Sequence, residues 1–309
     1  MRTRTKTRPA TSLAYVERVN LAIDHVVSHL VEPGGLRLED VSRAAMLSPF
    51  HFHRVFQTII GVTLADFVKR LRLERALVMM AHARRSSLTT IALDCGFSSS
   101  SDFARCFKQR FGVAPSAFNM GEWRLAHANE LQSMASGSVE RLHLARLPAR
   151  HNPDGFSVRI RGLPARTVAY IRVHNPYQGD AAAKATERLI AWAERHSLAD
   201  GQWLGYQWDN PEITSLEDCQ YHIAVVAERF TPGGEIGRFR FPPMVVAQVE
   251  VRGGVDRELR ALQWLFGTWL PLSGYVPDDH PCFGAFIGRP YAHGTEYSEL
   301  YAQLPVRRG

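Results

Sequence analysis

One pattern occurs twice in the first 120 residues, and it restricts this chain to a narrow set of folds. In the first copy, Leu38 and Val41 begin a short apolar helix face, Met46-Leu47 reads as a turn, and Ser48-Pro49 opens a new helix. Ser48 supplies an N-cap hydroxyl, and proline is pre-organised for the first helical position. Phe52, Val55, Phe56 and Ile59 then fall on one face at helical spacing. Leu88, Ile91 and Gly96-Phe97-Ser98 repeat the first part at an offset of 50. After one inserted residue, Phe103, Arg105, Phe107, Gly112 and Val113 match Phe52, Arg54, Phe56, Gly61 and Val62 at an offset of 51. An ordered set of this length marks an internal duplication of a helix-turn-helix rather than chance. A helix whose apolar residues run from Leu13 to Leu30, stopped by Pro33-Gly34-Gly35, precedes the repeat, and a long helix over 64–83 joins its halves.

Charge follows the same division. Residues 1–126 hold 18 Lys and Arg against 10 Asp and Glu, while the remainder is close to neutral. A basic helical domain fused to a neutral one points to a polyanion partner for the first and a separate task for the second. Two recognition helices on one chain can enter successive major-groove segments, which lets a monomer do the work of a symmetric dimer. Base reading falls to exposed side chains near each recognition helix's start: Pro49, Phe50, His53, Arg54 and Gln57 in the first, and Ser99, Ser100, Ser101, Asp102 and Arg105 in the second. Phe50 suits a thymine methyl and the Arg54 fork suits guanine. Lys108, Arg110, Arg84 and Arg85 are the expected phosphate contacts.

The segments Ser48-Pro-Phe-His-Phe-His-Arg-Val-Phe-Gln57, Gly96-Phe-Ser-Ser-Ser-Ser-Asp-Phe-Ala-Arg-Cys-Phe-Lys108 and Phe111-Gly-Val-Ala-Pro-Ser-Ala-Phe118 resemble the DNA-binding domain of the AraC/XylS transcription regulators. The resemblance implies an all-α domain of seven helices over 13–125 and base contacts on the positions just named. Asp102 departs from the family pattern, which has an aromatic or neutral residue there; an acid at that place repels phosphate or accepts from cytosine. Arg2, Arg4, Lys6 and Arg8 read as a disordered basic tail over 1–12.

A connector spans 126–155, and the period then changes. Phe156 to Arg161, Thr167 to Val173, Trp203 to Tyr206, Tyr221 to Ala227, Met244 to Val251, Phe283 to Ile287 and Tyr297 to Leu304 read as strands, with helices over 180–196 and 255–270. Ala169, Ile171 and Val173 recur as Ala247, Val249 and Val251 at an offset of 78, so this α+β domain, over 156–307, consists of two pseudo-symmetric strand-helix-strand halves with a groove between them. The runs Val173-His-Asn-Pro-Tyr177, Gly205-Tyr-Gln-Trp-Asp-Asn-Pro211 and Trp269-Leu-Pro-Leu-Ser-Gly-Tyr275 resemble the GyrI-like effector domain, which implies a small-molecule ligand. Tyr177, Tyr206, Trp208, Trp264, Trp269, Phe283 and Phe286 are the expected lining. The family's usual PxFExY reads Pro281-Cys-Phe-Gly-Ala-Phe286 here, so the acid that pairs with a cationic ligand is replaced by Gly284; Glu299 is a distant substitute.

The reading that results is a cytoplasmic, sequence-specific transcription regulator. Its expected partners are double-stranded promoter DNA, RNA polymerase and a small-molecule effector, with no membrane, cofactor, metal or catalytic residue. Cys95, Cys106, Cys219 and Cys282 form no CxxC pair, and His51 and His53 stand too close along a helix to share a metal. Two alternatives remain open: a GyrI-like hydrolase using Trp208, Asp209 or Glu212, and a ligand-free protein-interaction module.

Overall fold

The computed structural model describes residues 9–32, 36–82, 86–120, 122–123, 152–210 and 214–308. Residues 1–8 of the tail expected over 1–12, most of the connector, the Pro33-Gly34-Gly35 stop, Arg84, Arg85 and Glu212 lie outside the described residues; residues 9–12 of that tail are helical, as the start of the first helix.

Among the described residues the N-terminal domain has six α-helices with defined bounds: α1 (Pro9–Ser28), α2 (Leu38–Ala44), α3 (Pro49–Ile60), α4 (Leu64–His82), α5 (Leu88–Asp94) and α6 (Ser100–Phe111). Beyond the 3-10 turn Pro115–Ala117, residues 120 and 122–123 are again helical. Ser48 caps α3 as expected, and Ser87 caps α5 in the same way, each accepting from the backbone N–H three residues on. In the second unit the cap is Ser99, one residue later than the repeat implies, because the inserted residue lengthens the turn. Both turns pass through the left-handed region at matched positions, Met46 (φ 54°) and Gly96 (φ 82°). Glycine is required at the second, where a Cβ would stand 2.8 Å from the Leu30 carbonyl oxygen.

The domain has two cores strung on one helix. Val41, Phe52, Phe56 and Ile60 pack with α1 and with Leu64, Phe67 and Leu71 from the first half of α4. Ile91, Phe97, Phe103, Phe107 and Phe111 pack with Leu73, Ala76 and Leu77 from its second half. α4 therefore fixes the relative placement of α3 and α6. At 19 residues it is about 28 Å long, near the roughly 34 Å of one duplex turn.

The C-terminal domain has strands β1 (Arg159–Leu163), β2 (Arg166–His174), β3 (Trp203–Gln207), β4 (Gln220–Val226), β5 (Ile236–Phe241), β6 (Met244–Gly253), β7 (Tyr275–Pro277), β8 (Phe283–Phe286) and β9 (Ser298–Arg308), with α7 (Ala181–Arg195) after β2 and α8 (Val255–Trp264) after β6. The strand order β1-β6-β9-β8-β3-β4-β2-β5 is symmetric about the β8–β3 pair. Each half surrenders its leading strand: β1 runs into β2 but bonds to β6, and β5 runs into β6 but bonds to β2. β1 and β2 lie six strand spacings apart, about 29 Å in a flat sheet, yet Pro164-Ala165 bridges at most about 11 Å. The sheet must curl. Its concave side holds Val168, Tyr170, Leu204, Tyr206, Phe241, Val246 and Phe283, and the edge-strand Phe241 meets the central Phe283 at 5.0 Å between ring centroids. α7 and α8 cover the other face through two separate cores.

The two domains meet through buried polar contacts. Arg172 on β2 pairs with Asp24 of α1 at 2.8 Å and donates to Asn20 at 2.6 Å and to His222 Nε2 at 2.8 Å. Tyr170 donates to the other Asp24 oxygen at 2.6 Å. From α4, Arg70 pairs with Asp209 at 3.1 Å, Glu74 accepts from the Asn210 backbone at 3.0 Å and from the Thr214 hydroxyl, and Arg75 pairs with Asp279. Burial, and then the charge of Asp209, pushes the Glu74 carboxyl up.

Candidate functional site

The first recognition helix presents its expected set to solvent: Pro49, Phe50, His53, Arg54 and Gln57 are all exposed, while Phe52 and Phe56 are buried beneath them. Phe50 is 75% exposed, far more than any packing role would leave it. The Arg54 guanidinium rests over that ring at 5.9 Å, so the thymine-type and guanine-type readers stand side by side.

The second helix differs. Ser99, Ser101, Arg105 and Lys108 are exposed, and Ser100 and Asp102 are half-buried. Arg105 donates to Asp102 at 2.6 Å, and Asp102 also accepts from Ser98 at 3.1 Å. Burial would raise the Asp102 carboxyl, but these hydrogen bonds outweigh it and hold it below the usual range. Arg54 and Arg105 are matched in sequence but not in state: the first is free for a base, while the second must exchange a carboxylate for one.

The seven aromatic residues expected to line one groove are distributed over two faces. Tyr206, Trp208 and Phe283 pack on the concave side, where Trp208 also touches the first helical core. Trp264, Trp269 and Phe286 belong to the core under α8. Phe286 also packs on the core under α7, and Tyr177, in the turn between β2 and α7, exchanges hydrogen bonds with Gln207.

The midline of the sheet carries a constellation the sequence reading missed. Gly205 and Gly284 face each other across the β3–β8 pair, leaving the sheet without side chains at its pseudo-twofold. The Tyr221 hydroxyl lies over Gly205, and Glu258 of α8 places Oε1 3.2 Å from where a Cβ on Gly284 would be. Tyr177, Tyr221 and Tyr291 each stand close enough to Glu258 for its carboxylate to help raise their phenols, after burial, and all four are half-buried, as the lining of a recess is. Among the described residues the Glu258 carboxylate has no ion pair or hydrogen bond, and burial alone pushes it up to about 7. The carboxylate absent at position 284 thus arrives from the facing helix. Glu299 is engaged elsewhere, with Arg252 at 3.0 Å. The signal available in sequence was the pair of strand glycines, which mark a close approach by another group.

Asp209, considered for chemistry, is tied to Arg70 and the Gln220 backbone. Burial pushes the Cys282 thiol up to about 12, away from a reactive thiolate.

Comparisons with known proteins agree with this division. Residues 41–121 match the family described as a helix-turn-helix domain, and residues 156–307 match the GyrI-like small molecule binding domain. A DNA gyrase inhibitor of Edwardsiella piscicida is 34% identical over 162 residues, covering 50% of this chain and 99% of that protein. The regulatory protein PocR of Salmonella typhimurium is 33% identical over 101 residues, or 33% of this chain and 32% of that protein. Among solved structures, an AraC-type regulator from Chromobacterium violaceum covers 32% of this chain and 86% of its own at 25% identity and a TM-score of 0.29. EcmrR in a DNA complex covers 87% and 85% at 14% identity and a TM-score of 0.37. Among the described residues no helix is long and apolar enough to cross a membrane. The chain belongs to the AraC-type helix-turn-helix transcription regulators, and it carries a GyrI-like small-molecule-binding domain.

Proposed function

We propose that this regulator binds promoter DNA as one polypeptide through α3 and α6, answers to an organic cation held at Glu258, and contacts RNA polymerase at the promoter without catalysing a reaction. The observation that carries the DNA half is the row Pro49, Phe50, His53, Arg54 and Gln57, which stands exposed on a capped, well-packed helix. Arg54→Ala should cost about 1–3 kcal/mol at the cognate site and relax preference at one base pair. Selection from a random DNA pool by both proteins checks this; uniform weakening at every sequence would make Arg54 a phosphate contact instead. A requirement for two chains on a palindromic site would remove the monomer reading.

The ligand half rests on the unpaired carboxylate among three phenol rings, a setting that favours a positively charged guest. Because its carboxyl titrates near 7 in the free protein, Glu258 must shed a proton to pair with a cation. Affinity for an organic cation such as tetraphenylphosphonium should therefore rise as pH increases from about 6 to 8, and Glu258→Gln should abolish that slope. Calorimetry at several pH values measures it, and a flat profile would place the cation elsewhere. Purified protein should turn over no candidate ligand; observed hydrolysis would restore the enzyme alternative.

A further inference from the structure

On the concave side of the sheet, away from the Glu258 groove, lies a cation with no carboxylate partner among the described residues. Arg166 opens β2 and is 8% exposed. Its guanidinium lies over the Phe283 ring at 4.6 Å and the Phe241 ring at 5.8 Å. Its Nε and Nη2 are buried without a hydrogen-bond partner, and the ionisable group nearest to it, the Tyr206 phenol, is kept neutral by burial. Burial lowers this guanidinium to about 10, which records how poorly the site compensates the charge. Elsewhere the chain meets such a need directly: Arg172 and Arg70 both have carboxylates.

The identity of the two orphan atoms is informative. Nε–H and Nη2–H lie side by side along one edge of the guanidinium, the edge that grips a carboxylate through two parallel hydrogen bonds. The surroundings are apolar and aromatic, with Phe241, Phe283, Tyr206 and Trp208 in one cluster. A single guanidinium among rings matches a monoanion with an apolar body better than a strongly hydrated phosphate.

We propose that Arg166 is the anchor of a second ligand site, on the concave face of the sheet, for a small organic acid whose carboxylate takes Nε and Nη2 and whose body packs beside the half-buried Trp208 and His280, with the buried Phe241 and Phe283 rings beneath the guanidinium. The site borders the helical domain. Trp208 packs against both the concave cluster and the first helical core, and Asp279, beside the His280 ring that faces Phe241 and Trp208, pairs with Arg75 of α4. An acid bound here would press on the junction that holds α4.

Calorimetry on the full-length protein with benzoate, phenylacetate and hexanoate tests the site, with benzamide as the uncharged match to benzoate. At least one acid should bind with a Kd near or below about 1 mM. Benzamide should bind at least about tenfold more weakly, the share expected of a charge-assisted pair. Arg166→Met should remove acid binding without lowering the melting temperature of the unliganded protein, since it deletes an unpaired cation, and Glu258→Gln should leave acid binding intact. Failure of all three acids to bind, equal binding of benzamide, or retained binding in Arg166→Met would overturn the proposal. The acid and amide comparison needs no variant and decides the matter if Arg166→Met does not fold.

Discussion

Arg172→Leu should destabilise the full-length chain by about 3–5 kcal/mol, the penalty for leaving one member of a buried ion pair alone. The Arg172 side chain is only 5% exposed and that of Asp24 17%, so water cannot replace the lost guanidinium. Asn20 and His222 lose their donor at the same stroke. Burial raises the Asp24 carboxyl even with Arg172 beside it, and without Arg172 it rises further. The sign of the pH dependence follows. A carboxyl whose folded-state pKa is raised contributes stability that is complete below its unfolded value and is lost as pH climbs through the folded one. The penalty of Arg172→Leu should therefore be smallest in acid, where Asp24 is protonated in both states, and grow toward neutrality. Urea unfolding at several pH values measures it, and adding Asp24→Leu should recover much of the loss by removing the stranded acid. A cost under about 1 kcal/mol, typical of a surface pair, would show that the junction opens freely in solution. Arg172 lies beside Ile171 and Val173, which pack under α7, and His222 follows Tyr221 of the groove. Movement of Tyr221 around a guest therefore has a one-residue path to the junction.

Phe107→Ala is the second large effect, about 3–5 kcal/mol from lost burial and the cavity left behind. Phe107 is fully buried and packs on Phe103, Phe111 and Phe118. Since the two helical cores are separate, the damage should stay in the second: hydrogen exchange should rise in α5 and α6 and remain slow in α3. DNA affinity for a site spanning two groove segments should fall to that of a half-site, with Arg54 still reading its base. Unchanged binding to the full site would mean that α6 contributes nothing to recognition.

The repeat of Phe52, Arg54 and Phe56 as Phe103, Arg105 and Phe107 made the helical domain legible, because helix periodicity and serine caps are local signals. The offset of 78 gave the symmetry of the second domain for the same reason. β5 escaped the reading, since Arg238 and Arg240 interrupt Ile236-Gly-Arg-Phe-Arg-Phe241 and an edge strand can carry such charges outward. The aromatic groove was misjudged in composition because strand alternation sends Tyr206 and Phe283 to one face and their neighbours Gly205 and Gly284 to the other. Glu258 was invisible for a further reason: what isolates it is the approach of α8 to a strand 26 positions along the chain, a tertiary fact.

The exchanged leading strands also set a timetable for synthesis. The helical domain closes mostly short-range contacts and can fold as it leaves the ribosome, whereas β1 stays unsatisfied until β6, about 80 residues later, has been made. For that interval the nascent chain exposes an unpaired strand beside a finished DNA-binding domain. Truncation between β1 and β6 should yield a product that aggregates, and neither half of the second domain should be rescued by expressing it alone.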